Sequence, residues 1–176
     1  MTNAARRVHL YQMHLEDTVR DLAPRLLRYT LGQTGDAALA EEAAQEALTA
    51  LVQRWRRQGP PECPDAFAFA IARRRAFRLR LKRRLLEPLQ VLFDRNTPEP
   101  SPEEQAVHRA DLRRLLAALR RLAPGDREAL LLVGVEGMDL TRGAEILGVS
   151  LSAIKMRVHR ARKRLARILE EPHDPA

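Results

Sequence analysis

Apolar residues recur along most of this chain at the three-and-four spacing of a helix, and no stretch alternates apolar with polar residues as a half-buried strand does. Val19, Leu22, Leu26 and Tyr29 form the first stripe. After "GQTGD" (Gly32–Asp36), Ala40, Ala44, Ala47, Leu51 and Trp55 form a second. The segment "QGPPECPD" (Gln58–Asp65) cannot continue a helix, because its prolines lack the amide proton and clash with the preceding turn. Asp65 is expected to cap a third helix, starting near Ala66, whose second half is basic throughout: "AFAFAIARRRAFRLRLKRRL". From Glu87 to Gln105 periodicity disappears, prolines accumulate and glycine is absent, as in an extended linker. Helical rhythm resumes at Leu112, Leu115, Leu119 and Leu122 and stops at "APGD" (Ala123–Asp126). The pattern predicts an all-α chain of two small helical domains joined by an extended linker. The expected division is 1–86, a linker 87–105, a second domain 106–170 and a tail 171–176.

The second domain closes on a distinctive arrangement. "DREALLLVGVEG" supplies a helix ending at Gly137. "LTRGAEILG" supplies a short one, with Asp139 or Thr141 as its cap and Gly148 as its C-terminal stop. Ser150 is placed to cap the last helix, in which Ile154, Val158, Ala161, Leu165 and Ile168 form the buried stripe. Ser152, Lys155, Met156, Arg157, Arg160, Lys163 and Arg164 then face solvent or a partner. A short helix, a glycine turn and a capped second helix make a helix-turn-helix, whose second helix enters the major groove with its first residues against base edges. Lys155 and Arg157 fall early enough for base or phosphate contact, while Arg160, Arg162, Lys163, Arg164 and Arg167 lie where phosphates are met.

Charge reinforces this picture. The chain has 176 residues and a formal net charge of +8 from 31 Lys and Arg, almost all of them Arg, a balance suited to a polyanionic partner. The third helix alone carries Arg73, Arg74, Arg75, Arg78, Arg80, Lys82, Arg83 and Arg84 with no acid between them. If six of these met phosphates, log affinity would fall with log salt at a slope of about −5. Phe67, Phe69 and Phe77 on the same helix fit either the core or stacking on unpaired bases. The linker reverses the sign, with Glu87, Asp94, Glu99, Glu103 and Glu104 against Arg95. Cys63 is the only cysteine and the histidines are scattered, so no disulfide, metal or cofactor is expected. No apolar run is long enough to cross a bilayer and no signal-peptide pattern opens the chain, so a cytoplasmic location is expected. No acid–base pair, nucleophile arrangement or phosphate loop marks an enzyme or a small-molecule substrate.

The closing "AEILGVSLSAIKMRVHRARKRL" is similar to region 4 of bacterial RNA polymerase sigma factors of the small extracytoplasmic-function type. "LLRYTLGQTGDAALAEEAAQEALTALVQRW" and "FAFAIARRRAFRLRLKRR" resemble their region 2, and the likeness covers Leu10 to Leu169. The resemblance implies a subunit that binds core RNA polymerase through the β′ clamp helices and the β flap, recognises promoter DNA, and is held in check by an anti-sigma factor. It implies −35 contacts from Ser152, Lys155, Met156, Arg157 and Arg160. It further implies −10 and backbone contacts from Arg73, Arg74, Arg75, Arg78 and Arg80, and polymerase contacts from Glu41, Glu42, Gln45 and Glu46. The loop Gln58–Asp65 stands where such factors capture an unstacked −10 base, and the acidic linker where theirs passes the polymerase cleft.

Some residues depart from the family habit. Arg142 and Gly143 stand where a Glu-Ile pair is usual, and Gly143 is expected to cost about 1 kcal/mol of helix stability and one packing contact. Ala153 and Met156 replace hydroxyl-bearing residues of the recognition helix, and Arg74 and Arg78 replace an Asn and an Asp. Three functions fit: a sigma factor, a sigma-like decoy that engages polymerase or an anti-sigma factor without initiating, or a stand-alone helix-turn-helix regulator.

Overall fold

Local hydrogen-bonding groups decide where the helices begin and end. The computed structural model describes residues 3–90 and 103–171, with side chains placed over 13–83 and 110–171. Every regular element among them is helical: α1 (Asn3–Thr34), α2 (Ala37–Gln58), α3 (Pro64–Gln90), α4 (Glu103–Arg120), α5 (Pro124–Ala129), α6 (Leu140–Leu147) and α7 (Leu151–Glu170). A π-helical stretch, Leu130–Val135, continues α5. The chain divides into two compact units, Met1–Phe77 and Arg78–Ala176, with the boundary inside α3. No described helix is long and apolar enough to cross a membrane.

In the first unit α1 runs on through Gly32 to Thr34, so the turn is shorter than "GQTGD" suggested. Gly35 takes φ 64°, a left-handed value that glycine adopts without penalty, and Asp36 caps α2 by accepting from Leu39 N at 2.9 Å. Leu22, Leu26 and Tyr29 are buried against α2, which presents Ala40, Ala43, Ala44 and Ala47 and then Leu51 and Trp55. Small side chains bring the two backbones close enough for the buried Thr30 hydroxyl to lie 2.9 Å from the Ala40 carbonyl. Phe69 is fully buried, edge-on to Tyr29 with ring centroids 5.4 Å apart and with the Arg25 guanidinium 5.6 Å from its own centroid. Phe77, by contrast, is exposed.

Two boundaries differ from expectation. Asp65 is not the cap of α3: the helix starts at Pro64, where the missing amide costs nothing, and the Cys63 carbonyl accepts from Phe67 N at 3.0 Å. Asp65 sits inside the first turn, where its carboxylate complements the helix dipole. At the other end α3 continues to Gln90, so Glu87–Gln90 are helical rather than extended. Good helix formers propagate the turn, and Pro88 near the terminus removes a single bond. With α4 starting at Glu103, the rest of the expected linker, 91–102, lies outside the described residues, as does 172–176 of the tail.

In the second unit the stripe of α4 is only half used. Ala118, Leu119 and Leu122 are buried, whereas Leu112 and Leu115 are exposed. Arg114 of α4 donates to the Leu169 carbonyl of α7, and Arg121, just after α4, pairs with Glu171, just after α7, at 2.7 Å. Leu165 and Ile168, at the far end of the α7 stripe, are correspondingly half-buried. The expected helix up to Gly137 forms, but it widens: Glu136 N donates to Leu131 O at 3.0 Å, a bond one residue longer than an α-turn.

Gly143 carries a correction. A Cβ at this position would stand 2.7 Å from Ile154 Cδ1 and 3.2 Å from Val133 Cγ2, and Ile154 is fully buried. The missing side chain is what lets α6 settle on α7 and on the π-helical stretch Leu130–Val135. Gly143→Ala is therefore expected to lower stability, because overpacking at about 1–3 kcal/mol outweighs the helix-propensity gain of about 1 kcal/mol. Adding Ile154→Val, which deletes the Cδ1 in the way, should leave the double variant at least as stable as G143A in urea titrations. A stabilised G143A would refute this.

Candidate nucleic-acid interface

Three local devices build the helix-turn-helix. Asp139, rather than Thr141, caps α6 by accepting from Arg142 N at 2.9 Å. Gly148 closes α6 in the left-handed conformation, φ 65° and ψ 42°, reversing the chain without a Cβ penalty. Ser150 Oγ then accepts from Ala153 N at 3.2 Å and starts α7, whose Ile154, Val158 and Ala161 are buried. Every step is short-range, which is why the motif is legible residue by residue.

Burial of that stripe turns the opposite side of α7 outwards. Ser152, Lys155 and Met156 are exposed within its first two turns, and Ser152 Oγ shares a hydrogen bond with Ser150 Oγ at 3.1 Å. His159, Arg162, Lys163, Arg164 and Arg167 extend the exposed face. The other two expected −35 residues lie on the flank towards α5. Arg157 is half-buried, its guanidinium packed over Gly125, where a Cβ would stand 3.0 Å from Nη1. Arg160 donates from Nε to Asp126 Oδ2 at 3.2 Å and from Nη2 to Oδ1 at 2.9 Å. The hydrogen bonds and the charge of Asp126 raise the Arg160 pKa further above its ordinary value, so it is a cation at every relevant pH.

The basic helix α3 also separates into two groups. Arg74 and Arg78, four residues apart and so on one face, are exposed together with Phe77 between them. Arg73 and Arg80 are half-buried. Arg75 is turned the other way: its Nη2 pairs with Glu42 and, at 2.8 Å, with Glu46 of α2. One residue expected on DNA thus meets two expected on polymerase. Glu41 and Gln45 are exposed beside them. Before this face, Arg54 Nη1 donates to the Gly59 carbonyl at 2.7 Å and fastens the start of the Gln58–Asp65 loop. Among the described residues no three His, Cys, Asp or Glu side chains gather as metal ligands.

Sequence reasoning missed Asp126 and Gly125 as partners of α7, since "APGD" carries only the signal of a helix stop. It missed equally that Glu42 and Glu46 share Arg75, 33 residues away in sequence for Glu42. No periodicity links such distant pairs.

Comparison with known proteins bears on the whole chain. The family description Sigma-70 region 2 matches residues 18–85, and Sigma-70 region 4 matches residues 112–165. The ECF RNA polymerase sigma factor EcfG of Rhodopseudomonas palustris (strain TIE-1) is 31% identical over 163 residues, which span 89% of this chain and 88% of that protein. The RNA polymerase sigma factor CnrH of Cupriavidus metallidurans is 38% identical over 72 residues, a match spanning 41% of this chain and 38% of CnrH. Among solved structures, the sigma factor RpoE of Bartonella quintana, in complex with the anti-sigma factor NepR, shares the fold. Its TM-score is 0.66 at 23% identity, covering 93% of this chain and 98% of that one.

Proposed function

The chain belongs to the extracytoplasmic-function RNA polymerase sigma factors, and from that premise we propose how its surfaces divide the work. It is a non-enzymatic subunit that binds core RNA polymerase and directs promoter recognition and transcription initiation. In the proposed division, residues 1–86 engage the polymerase clamp and the −10 element, 87–105 connect, and 106–170 read the −35 element. The observation that carries this reading is the capped, glycine-turned α7, with Ser152, Lys155 and Met156 on its open face.

Lys155 and Met156 are proposed to meet base edges in the major groove, and the later cations to meet phosphates. Arg74 and Arg78 are proposed as the −10 and backbone contacts, with Arg73 and Arg80 flanking them. Arg75 is proposed to act mainly on the α2 side, because two carboxylates already neutralise it. Glu41, Glu42, Gln45 and Glu46 are proposed as the acidic and amide face for the clamp helices. An anti-sigma factor is a proposed partner, supported by the related fold of RpoE bound to NepR. The cytoplasm, where core polymerase works, is the proposed location.

The test is transcription by purified protein and core polymerase on a random promoter library, followed by sequencing of the transcripts. Specific starts sharing an upstream motif are expected. Polymerase binding without transcripts would mark a decoy, and duplex binding that needs no polymerase would mark a stand-alone regulator.

A further inference from the structure

We propose that Asp126 is a positioning residue for promoter binding: from α5 it grips Arg160 of α7 side-on and aims the outer edge of that guanidinium at a DNA phosphate. The inference rests on reading α7 as the DNA helix and extends it to a residue outside the helix-turn-helix.

The geometry separates an inner from an outer edge. Both bonds to Asp126 leave the inner edge of Arg160, from Nε at 3.2 Å and Nη2 at 2.9 Å. A guanidinium carries five N–H donors, so both on Nη1 and one on Nη2 remain for an oxyanion approaching from outside. Exposure agrees: the Asp126 side chain is 14% exposed and that of Arg160 58%, placing the carboxylate behind and the cation in front. Asp126 stands in the first turn of α5, where a negative charge is favoured independently of Arg160. Beside it, Gly125 leaves room for the Arg157 guanidinium. Arginines from successive turns of α7 thus dock together on the start of α5. Arg160 lies in the third turn of α7, beyond the base-reading residues, so its target is a phosphate and its contribution independent of base sequence. A side chain held this way loses less conformational freedom on binding than one free in solvent.

The test uses holoenzyme formed with the full chain. Its probe is the strongest duplex recovered from the promoter library, or a random-sequence duplex if none is recovered. Arg160→Ala is expected to weaken binding about tenfold and to make the salt slope shallower by about 0.9. Asp126→Ala should weaken binding about fivefold, and Asp126→Asn, which keeps one acceptor, by less. The D126A/R160A double variant should bind no worse than R160A alone. Tighter binding by D126A would mean that the carboxylate restrains Arg160 and would overturn the proposal. Unchanged binding by D126A would overturn it too, as would an equal loss in the R160A background, the mark of a structural role. Should D126A fail to fold, D126N carries the same comparisons. If R160A itself binds normally, the reading of this α7 flank as DNA-facing fails instead.

Discussion

Reversing the charge at Lys155 and Arg157 together is expected to lower transcription from a −35-dependent promoter by about a hundredfold or more. Each good contact to a base edge contributes about 1–3 kcal/mol, and a carboxylate adds repulsion from the phosphates. The two positions should not contribute alike. Lys155 is exposed on the open side of α7, so Lys155→Glu should act on DNA alone and leave the thermal midpoint where it was. Arg157 is half-buried over Gly125, next in sequence to Asp126, so Arg157→Glu brings two carboxylates together and should lower the midpoint as well. Core polymerase affinity, measured by competition against the unmodified factor, should be unchanged for K155E. Equal promoter use by the double variant would contradict these assignments.

The second large effect is expected on α2. Changing Gln45 to Ala and Glu46 to Lys should weaken the complex with core polymerase about tenfold to a hundredfold, the scale of losing a charge contact inside an interface. Glu46 has two connections, one to the proposed partner surface and one to Arg75 at 2.8 Å. Glu46→Gln separates them, since it keeps the shape and one acceptor and removes the charge. Arg75 retains Glu42 in that variant, so the α2–α3 contact survives and the thermal midpoint should hardly move. A loss of polymerase affinity without a loss of midpoint places Glu46 at the interface. Promoter choice by the fraction that still binds should be unaltered, and unchanged core affinity would remove the α2 assignment.

How far the chain was legible follows the range of the interactions concerned. The cap at Ser150 and the turn at Gly148 act within three or four residues and could be read from their neighbours. The α6 cap could be read to within Asp139 or Thr141, whereas the Asp36 cap of α2 emerged only in the structure. The stripes of α2 and α7 were legible because one face of each is buried. The stripe of α4 misled: Leu112 and Leu115 keep the period of a buried face yet are exposed, while Ala118, Leu119 and Leu122 further along the same stripe are buried. Phe69 and Phe77 look alike in sequence, and only packing puts the first under Tyr29 and the second outside. Gly143 read as a weak point because helix propensity is local, while the Ile154 methyl that requires the glycine comes from the next helix. The candidate site shows the same limit. Charge and phase located the arginines, but the carboxylates that hold Arg75 and Arg160 (Glu42, Glu46 and Asp126) come from other helices far back along the chain.

The presentation of α7 to duplex DNA can be tested directly because Cys63 is the only cysteine. With Cys63→Ser as background, Met156→Cys places a single thiol on the exposed side of α7, where a hydroxyl-radical cleavage reagent can be tethered. In the complex with core polymerase and a promoter recovered from the library, strand cleavage is expected within the −35 element and nowhere downstream. Uncut DNA, or cuts confined to the −10 region, would contradict the assignment of α7 as the helix that meets the promoter.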